Sequence, residues 1–546
     1  MNIDLDLPTA TPPALSSNCT PEQLACINFI HQSTSHLVID SVAGSGKTFT
    51  LVEQCVAINH YFPSASIAIV MFNSKNVPEM EDRITRRGVL KATIGTVHKF
   101  GFAAYKNEHG PCQVNRDKAT DVAERFNKHY KFLFEDVVSI CRMVSLAKDT
   151  GICPSPNDTI YYPDWQEIIE KYEISFKQEN ISIKDVADFA INLFNETIND
   201  TSSVDFSDMI ALPLYHSYPF RQYDFVLVDE AQDINRCRLM AIERMLKPNS
   251  CLHCGSIYGP AMPDECKVRV GEPCVRTKPG GRLIAVGDRH QSIYAFTGAD
   301  AKSLDNIKKH FSAHELSLTT CFRCDKAIIR HVNHLVPHIR PRAEAGEGAV
   351  NSLTYDKFED LLFDGPPVDL QSHAILCRKN APLMRLAFRL SARGTKCRME
   401  GRDIGKSLIY FARKFKPNTP GELGIALAWH LREQAQKLSP LALATLQDKI
   451  ECLLVGCQHA TSIKALYSYI ESIFSDSTST RTTTLTLCSV HKSKGLEWPT
   501  VYILGENLWM PSPLAKTPTA IQQENNLIYV ARTRAMHTLT SITMGA

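Results

Sequence analysis

Two short strings in this chain carry residue types suited to phosphate chemistry. The first is Ala43-Gly44-Ser45-Gly46-Lys47-Thr48, between the apolar run His36 to Val42 and the helix-like Phe49 to Ile58. Backbone N–H groups of a loop in that setting converge on phosphate oxygens at a helix N-terminus. Lys47 would reach the β- and γ-phosphates of a nucleotide, and the Thr48 hydroxyl would bind Mg2+. Ser41 stands where the general pattern has its first glycine. The second string, Asp229-Glu230-Ala231-Gln232-Asp233, closes the run Phe225 to Val228. Carboxylates at a strand end beside a phosphate loop suit a Mg2+ partner, here Asp229, and a base that activates water, here Glu230. On its own this string also reads as a solvated acidic turn; the phosphate loop in the same chain favours the chemical reading.

Such residues need strands to hold them. Apolar runs of strand length end repeatedly in polar residues: Ser66 to Phe72 in NSKN, Leu283 to Val286 in GDRHQ, Ala374 to Cys377 in RKN, and Leu485 to Val490 in HKSKG. Helical patterns lie between many of them. That alternation predicts parallel α/β sheets with ligand sites at the carboxyl ends of strands. The motif-bearing strands fall in two groups, about 36–300 and 370–546. Two mainly helical stretches, Phe100 to Tyr218 and Ile404 to Thr480, interrupt them, and the second ends in SDSTSTRTTT.

Composition bounds the rest. At roughly 150 residues per domain, 546 residues allow three or four domains. A formal net charge of +2 does not announce a nucleic-acid partner, so any such surface would be a local basic groove. The longest apolar runs are too short for a membrane span. Met1 to Thr20 carries Asp4, Asp6 and adjacent prolines and reads as a flexible leader over 1–18, not a secretory signal. Eighteen cysteines without such a signal indicate thiols or metal ligands in a reducing compartment, cytoplasmic, or nuclear in a eukaryote.

The order of the motifs carries a family resemblance. From about residue 19 to 536 the chain resembles UvrD/Rep-like superfamily 1 helicases. Thr20-Pro21-Glu22-Gln23 is similar to the adenine-reading Q motif, Phe72-Asn73-Ser74-Lys75 to motif Ia, and Thr96-Val97-His98 to motif Ib. AGSGKT and DEAQD stand as motifs I and II, and Gly287 to Phe296 as motif III. Cys321-Phe322-Arg323-Cys324 stands where many members have Asn-Tyr-Arg-Ser. Thr486 to Glu497 resembles motif V, and Leu527 to Ala535 motif VI. His290 replaces the usual second Asp of motif III and Phe322 replaces Tyr; both resemble the F-box DNA helicase branch, although no F-box-like leader is evident. Nothing resembling a nuclease domain follows motif VI, so the resemblance implies a motor without a nuclease.

The resemblance implies two RecA-like α/β domains, each with an inserted mainly helical subdomain. The first core would be 19–100 plus 220–305, with insertion 101–219; the second 306–400 plus 481–546, with a short insertion 401–480. It implies ATP and Mg2+ between the cores. Gln23 would bond adenine, Phe322 stack on it and Glu497 contact the ribose. Gln291 would sense the γ-phosphate, and Arg323 and Arg534 act as arginine fingers; a structural salt bridge is the alternative for either arginine. Phe72, Tyr294 and Phe296 match base-stacking positions, although without the family core packing would be the better reading of these rings. Thr96, His98, His491 and Lys494 match positions that contact a nucleic-acid backbone.

The resemblance makes the chain an ATP-driven motor on single-stranded DNA and duplex junctions, with 3′ to 5′ polarity and duplex unwinding, serving repair, recombination or replication. Alternatives are a translocase that displaces bound proteins with little unwinding, and a nucleic-acid-binding scaffold with an inactive ATP site; intact Lys47, Glu230, Arg323 and Arg534 oppose the last. Between motifs II and III an extra stretch, about 249–281, holds Cys251, Cys254, Cys266 and Cys274 among Gly and Pro. Four thiolates in a loop too small for its own core suit a structural Zn2+, with His253 and Cys237 in reserve; reduced thiols or a disulfide are the other readings. This stretch would be a contact surface for a protein partner. Cys321 and Cys324 share the C-x2-C spacing but bracket Arg323, and read as packing.

Overall fold

The computed structural model describes residues 15, 18–151, 162–172, 174, 176–178, 181–251, 257–258, 276–278, 280–293, 302–364, 370–435, 438, 440–474 and 484–545. The chain divides into two compact units, Met1–Val42 with Gly46–Thr319, and Thr320–Ala546 with Ala43–Ser45.

The first unit is built on strands β1 (Leu37–Ser41), β2 (Ile67–Val70), β3 (Ala92–Gly95), β4 (Phe225–Val228), β5 (Arg282–Gly287) and β6 (His314–Leu318). They form one sheet of order β6-β1-β5-β4-β2-β3, with every neighbouring pair parallel. β2, β4 and β5 are buried along their whole length, which is why their sequences are continuous apolar runs and not alternating ones. Val38, Val70, Val226 and Val228 pack into the core on one face, and Leu37, Ile39, Ile69 and Leu227 into the core on the other.

One boundary differs from the sequence reading. The helix Ser303–Phe311 and strand β6 belong to the first unit: β6 pairs along β1, and Leu304, Ile307 and Phe311 join the core with Val38. The division falls at Thr319/Thr320 rather than at 305/306. β6 is an edge strand with only Leu318 buried, so His-Glu-Leu-Ser-Leu carries a weak strand signal.

Between β3 and β4 the chain is mainly helical: Val97–His109, Lys118–Tyr130, Phe134–Asp149, Tyr162–Lys171, Ile183–Asn199 and Asp208–Tyr215. Its apolar core encloses a charged cluster. Asp208 accepts hydrogen bonds from Lys118 Nζ at 2.7 Å and Lys148 Nζ at 2.6 Å, and Lys118 Nζ also donates to the carbonyls of Thr197, Asp200 and Ser203. Such a cluster is tolerated because its hydrogen bonds are filled.

The second unit repeats the architecture with β7 (Ala349–Thr354), β8 (His373–Cys377), β9 (Cys397–Met399), β10 (Leu485–Ser489), β11 (Trp498–Leu504) and β12 (Ala535–Thr543). The order is β7-β12-β11-β8-β10-β9, again parallel at every pair. Helices Arg402–Arg413, Pro420–Ala435, Pro440–His459 and Ile463–Ile473 stand between β9 and β10. Among the described residues no helix is long and apolar enough to cross a membrane.

Candidate nucleotide and nucleic-acid site

Strand order decides which motifs become neighbours. Read across the carboxyl edge of the first sheet from β1, the strands end in the phosphate loop, then GDRHQ after β5, DEAQD after β4, Phe72 after β2 and Thr96 after β3. Motifs far apart in the chain thus form one continuous row.

The phosphate loop leads into the helix Lys47–Tyr61 through Gly46, which has φ +79. A Cβ at Gly46 would lie 2.9 Å from Gln23 Nε2, so the loop and the Q-motif glutamine approach closely where the positive φ already favours glycine. Gln23 is 2% exposed, and its Oε1 accepts from Thr20 N–H in a capping box that starts the helix Pro21–Gln32. It therefore has a local structural role in addition to its place beside the loop.

The acidic residues are held in a chain of hydrogen bonds. Asp229 Oδ1 accepts from Glu230 N–H, and Gln232 Nε2 donates to Glu230 Oε2. Gln232 Oε1 accepts from Asp288 N–H at 3.0 Å, and Gln291 Nε2 donates to Asp288 Oδ2 at 2.8 Å. A Cβ at Gly287 would lie 2.5 Å from Gln232 Oε1, so this glycine makes room for the link. Glu230 has φ +53, a left-handed backbone that costs a non-glycine residue about 1–3 kcal/mol and is typical of functional sites. Gln232 and Asp288 received no role from the sequence, although both lie inside the quoted motifs.

The oxygens fit a hard divalent cation. Thr48 Oγ1 donates to Asp229 Oδ2 across 3.5 Å, so hydroxyl and carboxylate converge. Burial, and then the charge of Glu230, hold the Asp229 carboxyl well above the ordinary carboxylate range; Asp288 is raised by burial as well. Hydroxyl and carboxylate oxygens are the donors Mg2+ prefers, and a cation beside Asp229 would restore its ionised form.

Further along the row lie the positions matched to nucleic acid. Thr96 caps the helix Val97–His109, accepting from Lys99 N–H. His98 is held down to about 4 by burial and by Arg238, so it is neutral near pH 7. Phe72 is half-buried with the Arg238 guanidinium 5.2 Å from its ring centre. A ring the sequence did not single out joins them. Phe206 is 51% exposed and meets the His98 ring edge-on at 6.4 Å, and Arg116 lies over its face. Tyr294 and Phe296 lie outside the described residues.

The second unit carries two of the candidate arginines, Arg323 and Arg534. Arg323 Nε donates to Glu497 Oε2 at 2.5 Å and its Nη1 to Thr533 O. The salt bridge entertained for this arginine is therefore present, and its partner is the residue matched to the ribose. Arg534 is 1% exposed; its Nε donates to Val530 O, Nη1 to Leu496 O and Nη2 to Thr533 Oγ1. Phe322 is half-buried. His491 follows β10 and is held down to about 3 by burial, Arg378 and Lys492; Lys494, just beyond it, is half-buried. Cys321 and Cys324 are buried, with Cys324 N–H donating to Cys321 Sγ at 3.4 Å, and the hydrogen bond with Cys324 holds the Cys321 thiol down to about 6.

No group of three or more His, Cys, Asp or Glu side chains among the described residues is arranged to hold a metal. Cys254, Cys266, Cys274 and the side chain of Cys251 lie outside those residues. Cys237 packs in the core with Val226 and Met245.

A parallel sheet with a glycine-rich phosphate loop after one strand and paired carboxylates at the end of another defines a RecA-like P-loop nucleotide-binding protein. Comparison with known families narrows the class. Residues 19–312 match the UvrD/REP helicase N-terminal domain and residues 436–545 the UvrD-like helicase C-terminal domain. The chain belongs to the UvrD/REP helicase family. Among similar proteins, F-box DNA helicase protein 1 of Schizosaccharomyces pombe is 25% identical over 349 residues, 59% of this chain and 35% of that protein. DNA helicase II of Haemophilus influenzae is 23% identical over 329 residues, 55% of this chain and 38% of its own length. ATP-dependent DNA helicase UvrD1 of Mycobacterium tuberculosis is 22% identical over 387 residues, 65% and 45% respectively. The matches thus span well under two thirds of these relatives.

Proposed function

We propose that this chain hydrolyses ATP to move along single-stranded DNA, 3′ to 5′, and unwinds duplex at junctions in repair, recombination or replication. The observation that carries this reading is the row along the first sheet, where phosphate loop, carboxylates and nucleic-acid positions share one edge. Lys47 binds the β- and γ-phosphates, and Thr48 and Asp229 hold Mg2+. Bound there, Mg2+ would neutralise charge on the phosphate oxygens. Glu230, aimed by Gln232, takes the proton of the attacking water, and Gln291, held by Asp288, senses the γ-phosphate. Gln23 and Phe322 hold the base and Glu497 the ribose, with Arg323 and Arg534 as the arginines that stabilise charge on the transferred group. Phe72, Tyr294 and Phe296 stack on bases, joined by Phe206. Thr96, His98, His491 and Lys494 hold the backbone, the two histidines as neutral hydrogen-bonding groups. The stretches 101–219 and 401–480 are the inserted subdomains.

Strand displacement on substrates with a 3′ or a 5′ single-stranded tail tests this. Release only from the 3′-tailed duplex is expected. Translocation that ejects a protein block without releasing a strand would replace unwinding with protein displacement. Nucleic-acid binding with no ATP turnover would favour the scaffold.

For the inserted stretch we propose one structural Zn2+ on Cys251, Cys254, Cys266 and Cys274, at a surface that meets a protein partner. Support comes from the backbone around it: Asn249–Cys251 pairs antiparallel with both Ile257–Tyr258 and Arg276–Lys278, and Cys251 stands opposite Arg276. That pairing brings the two ends of the cysteine-bearing segment together. Elemental analysis of protein purified without chelator should give one zinc per chain; a ratio near zero removes the site.

A further inference from the structure

Arg238 lies on the first turn of the helix Arg236–Met245, immediately after the DEAQD turn. Asn235 caps that helix and accepts from Arg238 N–H at 2.9 Å, which fixes where the arginine side chain begins. From there the guanidinium reaches two functional groups at once. Its Nη1 donates to Asp233 O at 3.3 Å, the last residue of the acidic turn that also holds Glu230. Its Cζ lies 5.2 Å from the centre of the Phe72 ring, which is matched to a base-stacking position. Its charge also acts on His98, helping hold that imidazole neutral, and on Asp149 at the end of the insertion helix Phe134–Asp149, where it opposes the burial that raises the carboxyl.

Arg238 bridges the turn that carries the candidate base and the ring that a base would touch. Its Nε is buried without a hydrogen-bond partner among the described residues, so the side chain is not fully satisfied in this arrangement. The turn it grips is itself unrelaxed, with Glu230 in a left-handed backbone conformation.

We infer that Arg238 is a positioning residue that transmits occupancy of Phe72 by a single strand to the Glu230–Asp233 turn, and so sets how far nucleic acid stimulates ATP hydrolysis. A base stacked on Phe72 shifts the ring, the guanidinium follows, and the Asp233 carbonyl moves the turn that aims Glu230. Coupling of this kind runs through contiguous contacts and is typically worth 5–150-fold between sites. The inference rests on the reading of the chain as a nucleic-acid-stimulated ATPase.

The test uses the full chain with oligodeoxythymidylate as probe, reading turnover against probe concentration for wild type, Arg238→Gln, Arg238→Lys, Phe72→Ala and the double variant Phe72→Ala/Arg238→Gln. In Arg238→Gln the ratio of saturated to basal turnover should fall about tenfold, more than the half-maximal probe concentration changes. Arg238→Lys, which keeps the charge over the ring, should recover a substantial part of that ratio. The double variant should be no worse than the poorer single one. A wild-type ratio in Arg238→Gln, or losses that multiply in the double variant, would overturn the inference while leaving the motor reading intact. A wild-type enzyme that no strand stimulates would overturn both. If Arg238→Gln melts early, the Lys variant and the Phe72 comparison still decide.

Discussion

Along the carboxyl edge of the first sheet the candidate site buries acids, Asp229 and Asp288; in the second unit the buried candidate is a base, Arg534. The two are satisfied differently. The acids lie in a chain of amide donors, and burial raises both carboxyls against the opposing charge of Lys47. Arg534 donates to two backbone carbonyls and a hydroxyl, which orient its guanidinium. The contrast is the one the proposed roles need: carboxylates that would hold Mg2+ and activate water on the first unit, and an oriented guanidinium on the second.

The largest effect should come from the acidic edge. Lys47→Ala should abolish hydrolysis, and Glu230→Gln should cut turnover about 10²–10⁴-fold while ATP stays bound, read by single-turnover kinetics and nucleotide retention. Wild-type hydrolysis in either variant would remove the nucleotide site from the first edge. On the second unit, Arg534→Ala should lower turnover at least about a hundredfold with nearly intact ATP binding. Because its carbonyl partners lose their donor, the melting temperature should fall too. Lost binding with normal turnover per bound ATP would make Arg534 a binding or folding residue, and the division between edges would fail.

A smaller effect is expected where the first edge meets nucleic acid. Phe206→Ala should weaken single-strand affinity by roughly 5–150-fold, the range for one lost base stack, measured by fluorescence anisotropy. An unchanged affinity would return Phe206 to the insertion as an ordinary exposed ring.

The smallest effect concerns the two histidines, one on each unit. Their folded values, about 4 for His98 and about 3 for His491, lie below the ordinary imidazole value of 6.5. The unfolded chain therefore binds more protons in this window, and stability is lost as pH falls from about 6.5 toward these values. Thermal melts of His98→Asn and His491→Asn should show a shallower loss between pH 7 and 5 than wild type. An unaltered pH slope in both would mean that neither imidazole is held neutral.

Much of this site was legible in the sequence because its motifs are local. AGSGKT and DEAQD announce a strand end, a turn and a chemical group within six residues, and strands expected at 225–228 and 485–490 appear at Phe225–Val228 and Leu485–Ser489. What was not legible depends on lateral order in a parallel sheet. Nothing local says that β5 inserts between β1 and β4, yet that insertion puts Asp288 against Gln232. The same limit hid Phe206 and Arg238, single residues with no spacing pattern that become neighbours of His98 and Phe72 only through the fold. An exposed edge strand need not be apolar, so His314 to Leu318 gave no strand signal that would tie β6 to the first sheet.

ATP turnover with and without single-stranded DNA tests the central claim most directly, that one sheet edge joins hydrolysis to nucleic-acid contact. The account predicts turnover that rises on the order of tenfold or more with oligodeoxythymidylate and falls back as salt strips the strand away. Turnover that is the same with and without any nucleic acid, at every salt concentration, would contradict it.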